Sequence, residues 1–400
     1  MNKLIERKGY LDQLTMWREE EMIKVVTGVR RCGKSTLFEL YIELLKSDGV
    51  TDEQIVFVNL EDEDFSELLD YKKLHEYVKA RIVKDKWTYV FIDEIQNCED
   101  YEKAVSSLYL KKNLDIYITG SNAYTLSGEL ATKLTARYIE IDMLPLSFAE
   151  YGEAVTTSNK LDRFYQYMNM GSFPYATRFV DNSLAHSQYL EGIYNTVLVK
   201  DVMTRKKLND ITLVKAIASF LSSNVGSPVS AKKIADTLTS NGRPTGVATV
   251  ETYMEALTDS YLFYKVQRYD IKGKMYLKTE SKYYICDTGL RNMILGTQGK
   301  DVGHQIENTV YLELLRRGYT VNIGKSGRST EVDFVAVRDK RTEYYQVSAT
   351  VLDENTLKRE LEPLNQIKDN YPKFLITMDD FDADYDGISQ INLIDWLSII

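Results

Sequence analysis

Short apolar runs alternate with amphipathic stretches over the first 150 residues. Five of these runs are typical of buried strands, and they cover residues 22–27, 55–60, 88–92, 114–119 and 138–141. Residues 65–84, between two of the runs, have the apolar spacing of a helix. Near-continuous hydrophobic strands that alternate with helices are typical of a parallel sheet covered by helices on both faces. The pattern therefore predicts an α/β domain over residues 1–150.

The pattern changes in the rest of the chain. Residues 151–225 lose the strand signal and predict several helices. Residues 226–295 predict two helices and then a hairpin, which is the order of elements in a winged helix. The two helices are predicted at 230–238 and 248–259, and the two strands at 261–269 and 274–285. After a glycine-rich linker, residues 301–400 alternate helix and strand again, which predicts a second α/β domain.

A glycine loop that contains a lysine lies between the first predicted strand and the helix after it. The run Gly28-Val29-Arg30-Arg31-Cys32-Gly33-Lys34-Ser35-Thr36 fits the pattern G-x-x-x-x-G-K-[ST] in the strand–loop–helix context that the pattern requires. The glycines let successive backbone N–H groups point at a phosphate, and the helix N-terminus adds a partial positive charge. Lys34 can then reach the β- and γ-phosphates, while the Ser35 hydroxyl can ligate Mg²⁺. The motif predicts that residues 28–36 bind ATP with Mg²⁺.

Polar residues end two later strands of the predicted sheet. Asp93 and Glu94 follow the strand at 88–92. In a P-loop sheet this strand lies beside the first, so we predict that Asp93 holds Mg²⁺ through a water and that Glu94 polarises the attacking water. The small polar residues after the fourth strand either bond the γ-phosphate or this water, or simply form a turn. Arg137, before the fifth strand, either reaches a nucleotide on a neighbouring subunit or is an ordinary surface residue.

Several longer stretches carry a family likeness. They are GVRRCGKST, FIDEIQ, ITGSNAYTLSGELATKLTARYIEI and MLPLSFAEY, followed by MGSFPYA, IYNTVLVKDV and YYICDTGLRN. Together they resemble a prokaryotic family of AAA+-type ATPases, whose members pair an N-terminal P-loop domain with a C-terminal domain of unassigned function. The resemblance implies ATP binding and hydrolysis, with Lys34 and Ser35 at the nucleotide and Mg²⁺, Asp93 and Glu94 as Walker B carboxylates, and Asn122 as a sensor. The family commonly has glycine where this chain has Ala136, which leaves the role of Arg137 open.

Composition excludes several classes of protein. The 400 residues are 44% hydrophobic and carry a formal net charge of −9, which argues against a protein that coats nucleic acid over its whole surface. No apolar run approaches the ~18 residues that a membrane span needs, and the first residues lack the apolar core of a signal peptide. The three cysteines and three histidines lie far apart and lack zinc-site spacing. We therefore expect a cytoplasmic protein with reduced cysteines, no structural zinc and no membrane partner.

Positive charge concentrates in residues 201–300, which carry 15 basic and 9 acidic side chains. The predicted helix at 248–259 carries acidic residues and no basic ones, so DNA phosphates would repel it from the major groove. The hairpin after it carries Lys265, Arg268, Lys272, Lys274, Lys278 and Lys282, interleaved with tyrosines. A basic hairpin over residues 264–282 can grip a nucleic-acid backbone without reading its sequence. The favoured alternative is a solvated edge hairpin, whose lysines prevent the addition of another strand.

The C-terminal block has the residue spacing of a metal nuclease but lacks part of its chemistry. A helix Glu307, a strand Asp333 and the triplet from Gln346 to Ser348 resemble the PD-(D/E)xK nuclease fold, in which the triplet supplies a carboxylate and a lysine. Gln346 and Ser348 supply neither group. We therefore predict that residues 301–400 form a nuclease-like α/β domain that does not cut DNA. The nearby lysines that can replace the missing one are Lys325 and Lys358.

Three functions remain open at this level. The leading hypothesis is an ATPase that uses ATP and Mg²⁺ to regulate or remodel an unknown macromolecular partner. The second is a nucleotide switch that turns over slowly and acts as an interaction protein. The third is a DNA-processing ATPase with an active nuclease domain, against which Gln346 and Ser348 weigh. The oligomeric state is left open by the sequence.

Overall fold

The chain folds into two compact units. The computed structural model describes residues 4–121, 137–157, 159–204, 206–296, 301–326 and 330–399, apart from the side chains of Lys278 and Thr279. The first unit comprises Met1–Met143 with Asp259–Tyr261, and the second comprises Leu144–Thr258 with Leu262–Ile400. The finer division into four regions, with boundaries near residues 150, 225 and 300, stays a prediction.

The first unit is built on a five-stranded parallel sheet in the order β2-β3-β4-β1-β5. Its strands are β1 Ile23–Thr27, β2 Ile55–Asn59, β3 Thr88–Asp93, β4 Leu114–Thr119 and β5 Tyr138–Asp142. Its α-helices are α1 Lys8–Met16, α2 Lys34–Ser47, α3 Tyr71–Lys79 and α4 Tyr101–Tyr109, with short 3-10 turns at Asp52–Gln54, Glu63–Leu69 and Ile95–Asn97. This arrangement confirms the predicted P-loop α/β fold. The expectation that the strand ending in Asp93 lies directly beside the first strand was wrong, because β4 is inserted between β1 and β3.

Both faces of this sheet are buried because alternate residues of each strand pack on opposite sides. On one face, Ile92 and Ile118 belong to an aliphatic core with residues of α3 and α4. On the other face, the ring of Phe91 stacks on Tyr117 with 4.7 Å between centroids, and Phe38 of α2 meets Phe91 edge-on at 5.1 Å. The continuous hydrophobic runs of the sequence are thus explained by burial on two sides.

One ion pair is buried at the edge of the sheet where the parallel strands begin. The ammonium of Lys24 lies 2.5 Å from a carboxylate oxygen of Asp115, and neither side chain is exposed. The other carboxylate oxygen accepts hydrogen bonds from the Tyr117 hydroxyl and the Glu19 backbone. Burial lowers the pKa of Lys24, and the charge of Asp115 opposes that shift. The pair is satisfied, so removing either partner would leave a buried charge uncompensated.

The second unit begins with helices, as predicted for residues 151–225. Its α-helices up to the hairpin are α5 Phe148–Ala154, α6 Lys160–Met170, α7 Ser183–Thr196, α8 Ile211–Ser223, α9 Ala231–Ser240 and α10 Val247–Asp259, with a 3-10 turn at Pro174–Phe179 and a π-helical turn at Val197–Thr204. After the hairpin come α11 Thr288–Leu295, α12 Val302–Arg316, α13 Glu354–Asn365 and α14 Leu393–Leu397. The two helices α9 and α10 and the hairpin after them occur in the predicted order; their identity as a winged helix stays a prediction.

A nine-stranded mixed sheet completes the second unit, in the order β13-β14-β12-β11-β10-β9-β7-β8-β6. The strands are β6 Pro228–Val229, β7 Phe263–Asp270, β8 Met275–Ile285, β9 Thr320–Lys325, β10 Glu331–Arg338, β11 Arg341–Val347, β12 Lys373–Thr377, β13 Ala383–Tyr385 and β14 Ile388–Asn392. β7 and β8 form the predicted hairpin, and β7 also pairs in parallel with β9. The hairpin is therefore part of the same sheet as the C-terminal strands. Over the described part of the chain, no helix has the length and apolar character to cross a membrane.

Candidate functional site

The glycine loop joins β1 to α2, and its two motif glycines have backbone conformations that favour glycine. Gly28 has φ +139°, and a Cβ atom there would lie 2.1 Å from the carbonyl oxygen of Met143. Gly33 has φ +110° at the N-cap of α2. A side chain at either position would be strained, and at Gly28 it would also clash with backbone. The loop therefore depends on both glycines for its shape.

Lys34 points into the loop that it follows. Its ammonium donates hydrogen bonds to the carbonyl oxygens of Gly28, at 3.0 Å, and Val29, at 3.3 Å, and the residue is buried. Ser35, the next residue of α2, is exposed. The amino end of a 14-residue helix, a lysine and an exposed hydroxyl thus meet at the carboxyl end of β1. These groups suit an anionic ligand.

Asp93 and Glu94 lie at the carboxyl end of β3 and are joined to β4 by Thr119. The Thr119 hydroxyl donates a short hydrogen bond to a carboxylate oxygen of Asp93 and accepts one from the Glu94 backbone N–H at 2.9 Å. All three residues are buried. The sequence singled out Asn122 as the polar sensor residue after the fourth strand, and it gave Thr119 no role of its own. The signal for Thr119 was a polar residue at the end of an otherwise apolar strand; Asn122 lies outside the described residues.

Two further side chains hold the Glu94 carboxylate. The Gln96 amide donates a short hydrogen bond to it, and the guanidinium of Arg30 lies 3.9 Å from it. Arg30 also forms an ion pair with Glu61 at 2.8 Å. Glu94 itself has a left-handed backbone, with φ +51°. The loop residue Arg30 therefore links the glycine loop to carboxylates that follow β2 and β3, a connection that the motif pattern alone does not reveal.

Arg137 lies apart from these groups. It directly precedes β5, at the edge where the parallel strands begin, whereas the glycine loop and Asp93 lie at the carboxyl ends. Its guanidinium lies over the ring of Tyr109, 5.1 Å from the centroid. The structure therefore does not bring Arg137 together with Lys34 or Glu94 within one chain. A contact to a nucleotide on another subunit stays a prediction.

The second unit contains a buried cluster of opposite charges, built around Lys282 of β8. The Lys282 ammonium lies 3.1 Å from Glu307, 3.1 Å from Glu331 and 3.8 Å from Asp333. Glu307 also accepts a hydrogen bond from the Tyr284 hydroxyl at 2.7 Å. Glu307 and Asp333 thus both lie beside one ammonium, and the nuclease-like character of this block stays a prediction. The cation beside them is Lys282, which the sequence had suggested as part of a basic hairpin.

Gln346 joins the edge of this cluster, whereas Ser348 points elsewhere. The Gln346 amide accepts a hydrogen bond from the Asp333 backbone at 3.3 Å and donates one to Glu360 at 2.8 Å. Ser348 donates to the carbonyl oxygen of Thr350 at 3.1 Å. Among the described residues, no group of three or more histidine, cysteine, aspartate or glutamate side chains has the arrangement of a metal site.

The candidate replacement lysines and the hairpin cations also have defined places. Lys282, rather than Lys325 or Lys358, supplies the cation of the cluster. Arg268 is neutralised by Glu331 at 2.6 Å, so two of the six hairpin cations are used inside the sheet. Among the hairpin cations whose side chains the structure describes, the exposed ones are Lys265, Lys272 and Lys274. Nucleic-acid contact through residues 264–282 stays a prediction, and Arg268 and Lys282 can add little to it because both are paired with carboxylates of the sheet and α12.

Comparison with known proteins gives two family matches along the chain. The AAA domain family matches residues 20–152, and a family described as a domain of unknown function matches residues 161–301. A Walker-type ATPase of Pyrococcus abyssi has a similar fold, with a TM-score of 0.51 and 13% identity, over 73% of this chain and 96% of the ATPase chain. That likeness concerns the fold alone.

Two relatives are similar over most of their length. An uncharacterized protein of Haemophilus influenzae is 40% identical over 98% of this chain and 98% of its own. An uncharacterized protein of Methanocaldococcus jannaschii, MJ1544, is 30% identical over 87% of this chain and 79% of its own. With its AAA domain at residues 20–152, the chain belongs to the bacterial and archaeal protein family that contains these two relatives.

Proposed function

We propose that this protein binds ATP with Mg²⁺ at the 28–36 loop and hydrolyses it to regulate or remodel a macromolecular partner. The observation that carries the proposal is that Lys34, at the start of α2, and the buried Asp93 and Glu94, at the end of β3, lie at the same carboxyl edge of the parallel sheet, with β4 between β1 and β3. Arg30 of the glycine loop, 3.9 Å from Glu94, links the two sides of this edge. Open α/β sheets bind ligands at this edge. The AAA domain match over residues 20–152 supports the same site.

Each residue has a chemical role in this proposal. The loop N–H groups and the start of α2 hold the phosphates, and Lys34 neutralises the β- and γ-phosphates. The Ser35 hydroxyl would supply a hard oxygen ligand, the type that Mg²⁺ prefers, and the Asp93 carboxylate would hold the ion through a water. Mg²⁺ bound there supplies positive charge to the phosphate oxygens. Glu94 accepts the proton of the attacking water, and Gln96 orients its carboxylate.

The test compares two site variants with two matched controls. Lys34→Ala should lose tight ATP binding, because it removes the cation at the phosphates. Glu94→Gln should retain ATP but lose turnover by more than ~10²-fold, because the amide accepts no proton. Lys46→Ala, in the last turn of the same helix, and Glu67→Gln, at an exposed carboxylate, should change neither measurement. Full ATP affinity in Lys34→Ala, or full turnover in Glu94→Gln, would refute the assignment of that residue.

The same assay separates the ATPase from a slow nucleotide switch. An active remodelling enzyme should turn over steadily, and its turnover should depend on Glu94. A switch should also need Lys34 to bind ATP tightly, but the turnover of the wild type should then be hardly above that of the Glu94→Gln variant. Burst measurements of a single turnover distinguish slow chemistry from slow product release.

We further infer that the nuclease-like C-terminal block does not cut nucleic acid. The supporting observation is the Lys282 ammonium between Glu307 and Asp333, which places a fixed positive charge where a nuclease would need its metal. The expected result is intact single- and double-stranded DNA and RNA after incubation with the protein in Mg²⁺ or Mn²⁺. Cleavage that disappears in Asp333→Ala would show the opposite.

A further inference from the structure

An open pocket of about 940 Å³ lies in the second unit, between the tip of the β7–β8 hairpin and α13. Lys272 and Lys274 line it from the hairpin, and Lys358 and Lys368 line it from α13 and the segment that follows. These residues are about 90 positions apart in the sequence, and the β7–β9 pairing is what brings the hairpin into the C-terminal sheet. The fold thus assembles four lysines around one opening.

The charge of this pocket is positive in a chain whose total charge is negative. No ion pair joins Lys272, Lys274 or Lys358 to any residue that the structure describes, and all three are exposed. Lys368 donates a hydrogen bond to a backbone carbonyl oxygen. Two acidic residues also line the pocket, against four lysines. Glu362 accepts a hydrogen bond from the Gln366 amide at 3.3 Å, and Asp369 accepts one from the Tyr344 hydroxyl at 2.7 Å and lies 3.9 Å from Lys373. The four lysines are therefore available to an anion.

The surroundings of the lysines favour a nucleic-acid strand over a small anion or a phosphopeptide. Next to Lys274, the side chains of Met275 and Tyr276 are 58% and 59% exposed. The Tyr276 ring packs edge-on against Tyr269, with 5.5 Å between centroids, so one side of it is supported while it stays accessible. Exposed aromatic rings beside basic grooves stack on unpaired bases. Phosphopeptide sites instead use clustered arginine forks, whereas every basic residue in the described lining of the pocket is a lysine.

We propose that this lysine pocket binds the phosphate backbone of single-stranded nucleic acid, with a base stacked on Tyr276. The lysines act as point charges on phosphates, which fixes the strand without reading its sequence. The site is independent of the proposed ATP hydrolysis, because its residues belong to the second unit and need no nucleotide. Failure of one proposal therefore does not decide the other.

The test measures the affinity of the full-length protein for a fluorescent 20-nucleotide oligothymidine without ATP, over a range of salt concentrations. The two site variants are Lys272→Glu/Lys274→Glu and Lys358→Glu/Lys368→Glu. A matched control, Lys215→Glu/Lys232→Glu, reverses two exposed lysines on α8 and α9 of the same unit. Because all six lysines are exposed, an unchanged circular dichroism spectrum is expected and checks that each variant is folded.

Each site variant should bind at least tenfold more weakly, and the slope of log affinity against log salt should fall by about 1.4, at about 0.7 per phosphate contact on a single strand. The control variant should match the wild type. Tyr276→Ala should weaken oligothymidine binding severalfold while leaving heparin binding unchanged. Wild-type protein that binds no oligonucleotide at low salt, or site variants that bind like the wild type, would overturn the proposal. The assignment to nucleic acid would be overturned if the protein bound heparin and oligothymidine equally well and Tyr276→Ala changed neither affinity.

Discussion

Replacing Lys282 with methionine removes the cation that lies among three carboxylates of the second unit. Methionine keeps much of the aliphatic length of lysine, so the packing changes little while the charge is lost. The lysine side chain is only 6% exposed, and Glu307 is 12% exposed, so water can replace little of the lost interaction. Without the ammonium, the carboxylates of Glu307 and Glu331 would face each other beside Asp333, whose raised pKa of about 8 keeps it protonated at neutral pH.

The magnitude follows from the distances. At an effective dielectric constant of about 20, two unit charges 3.1 Å apart interact by about 5 kcal/mol. The lysine makes two such contacts, but burying it costs several kcal/mol, which offsets part of the gain. Some of the carboxylates will also take up protons when the lysine is gone. We therefore expect Lys282→Met to destabilise this part of the sheet by about 3–5 kcal/mol, the usual cost of breaking a buried ion pair.

Hydrogen exchange measured peptide by peptide suits this test, because it reports the local free energy of opening in a protein of two units. The exchange of β8 and β10 should be read in the wild type, in Lys282→Met and in Lys265→Met. Lys265 is an exposed lysine of the neighbouring strand β7, and its replacement should cost less than about 0.5 kcal/mol. A loss below 1 kcal/mol in Lys282→Met would refute the argument that this ammonium holds the Glu307 and Glu331 carboxylates together.

The pH dependence gives a second check on the same cluster. Burial and the negative charge of Glu307 raise the pKa of Asp333 to about 8, against the opposing effect of Lys282. Between the ordinary value of 3.8 and about 8, the folded protein holds a proton on Asp333 that the unfolded chain releases. The stability that Asp333 contributes to the folded protein is therefore fully present below pH 3.8 and is lost as the pH rises toward about 8. Asp333→Asn should flatten the decline of local stability between pH 5 and pH 8, and an unchanged decline would contradict the assignment.

Two further predictions concern the first unit. Thr119→Val should cost about 1–3 kcal/mol of local stability, because the buried Glu94 N–H loses its acceptor. It should also lower ATP turnover, whereas Thr119→Ser should restore both; normal turnover in the valine variant would contradict a positioning role. Asp115→Ala should cost about 3–5 kcal/mol in hydrogen exchange of β4, because it leaves the Lys24 ammonium buried without its carboxylate. The exposed Asp48, replaced in the same way, should cost less than about 1 kcal/mol, and an equal cost at both positions would remove the argument from burial.

Much of the first unit was predictable because its signals are local. Each predicted strand differs from the observed one by at most a single residue at an end. The glycine loop and the pair Asp93–Glu94 follow from motifs of a few residues, and parallel pairing then brings them to one edge of the sheet. Thr119 was not predicted, because its importance depends on register. The pairing of Ile92 with Ile118 is what sets the end of β4 beside the end of β3.

The second unit was harder to predict because its chemistry depends on contacts between distant segments. The sequence showed six basic residues in one hairpin and suggested a surface. Only the pairing of β7 with β9 reveals that Arg268 and Lys282 meet carboxylates of β10 and α12. Likewise, neither Lys358 nor Lys368 has any sequence feature that connects it with the hairpin tip.

This division of the hairpin cations limits what the hairpin can do in solution. Arg268 and Lys282 are neutralised within the sheet, so they add little to the field that a phosphate backbone meets. The tip lysines Lys272 and Lys274 act together with two lysines from α13 and its following segment. Four available cations set the scale of the salt effect: the slope of log affinity against log salt for a single strand should be about −2.8, at 0.7 per contact. Phosphate contacts from Arg268 and Lys282 would require the carboxylate cluster to open on binding, and the cost of exposing Lys282 opposes such an opening.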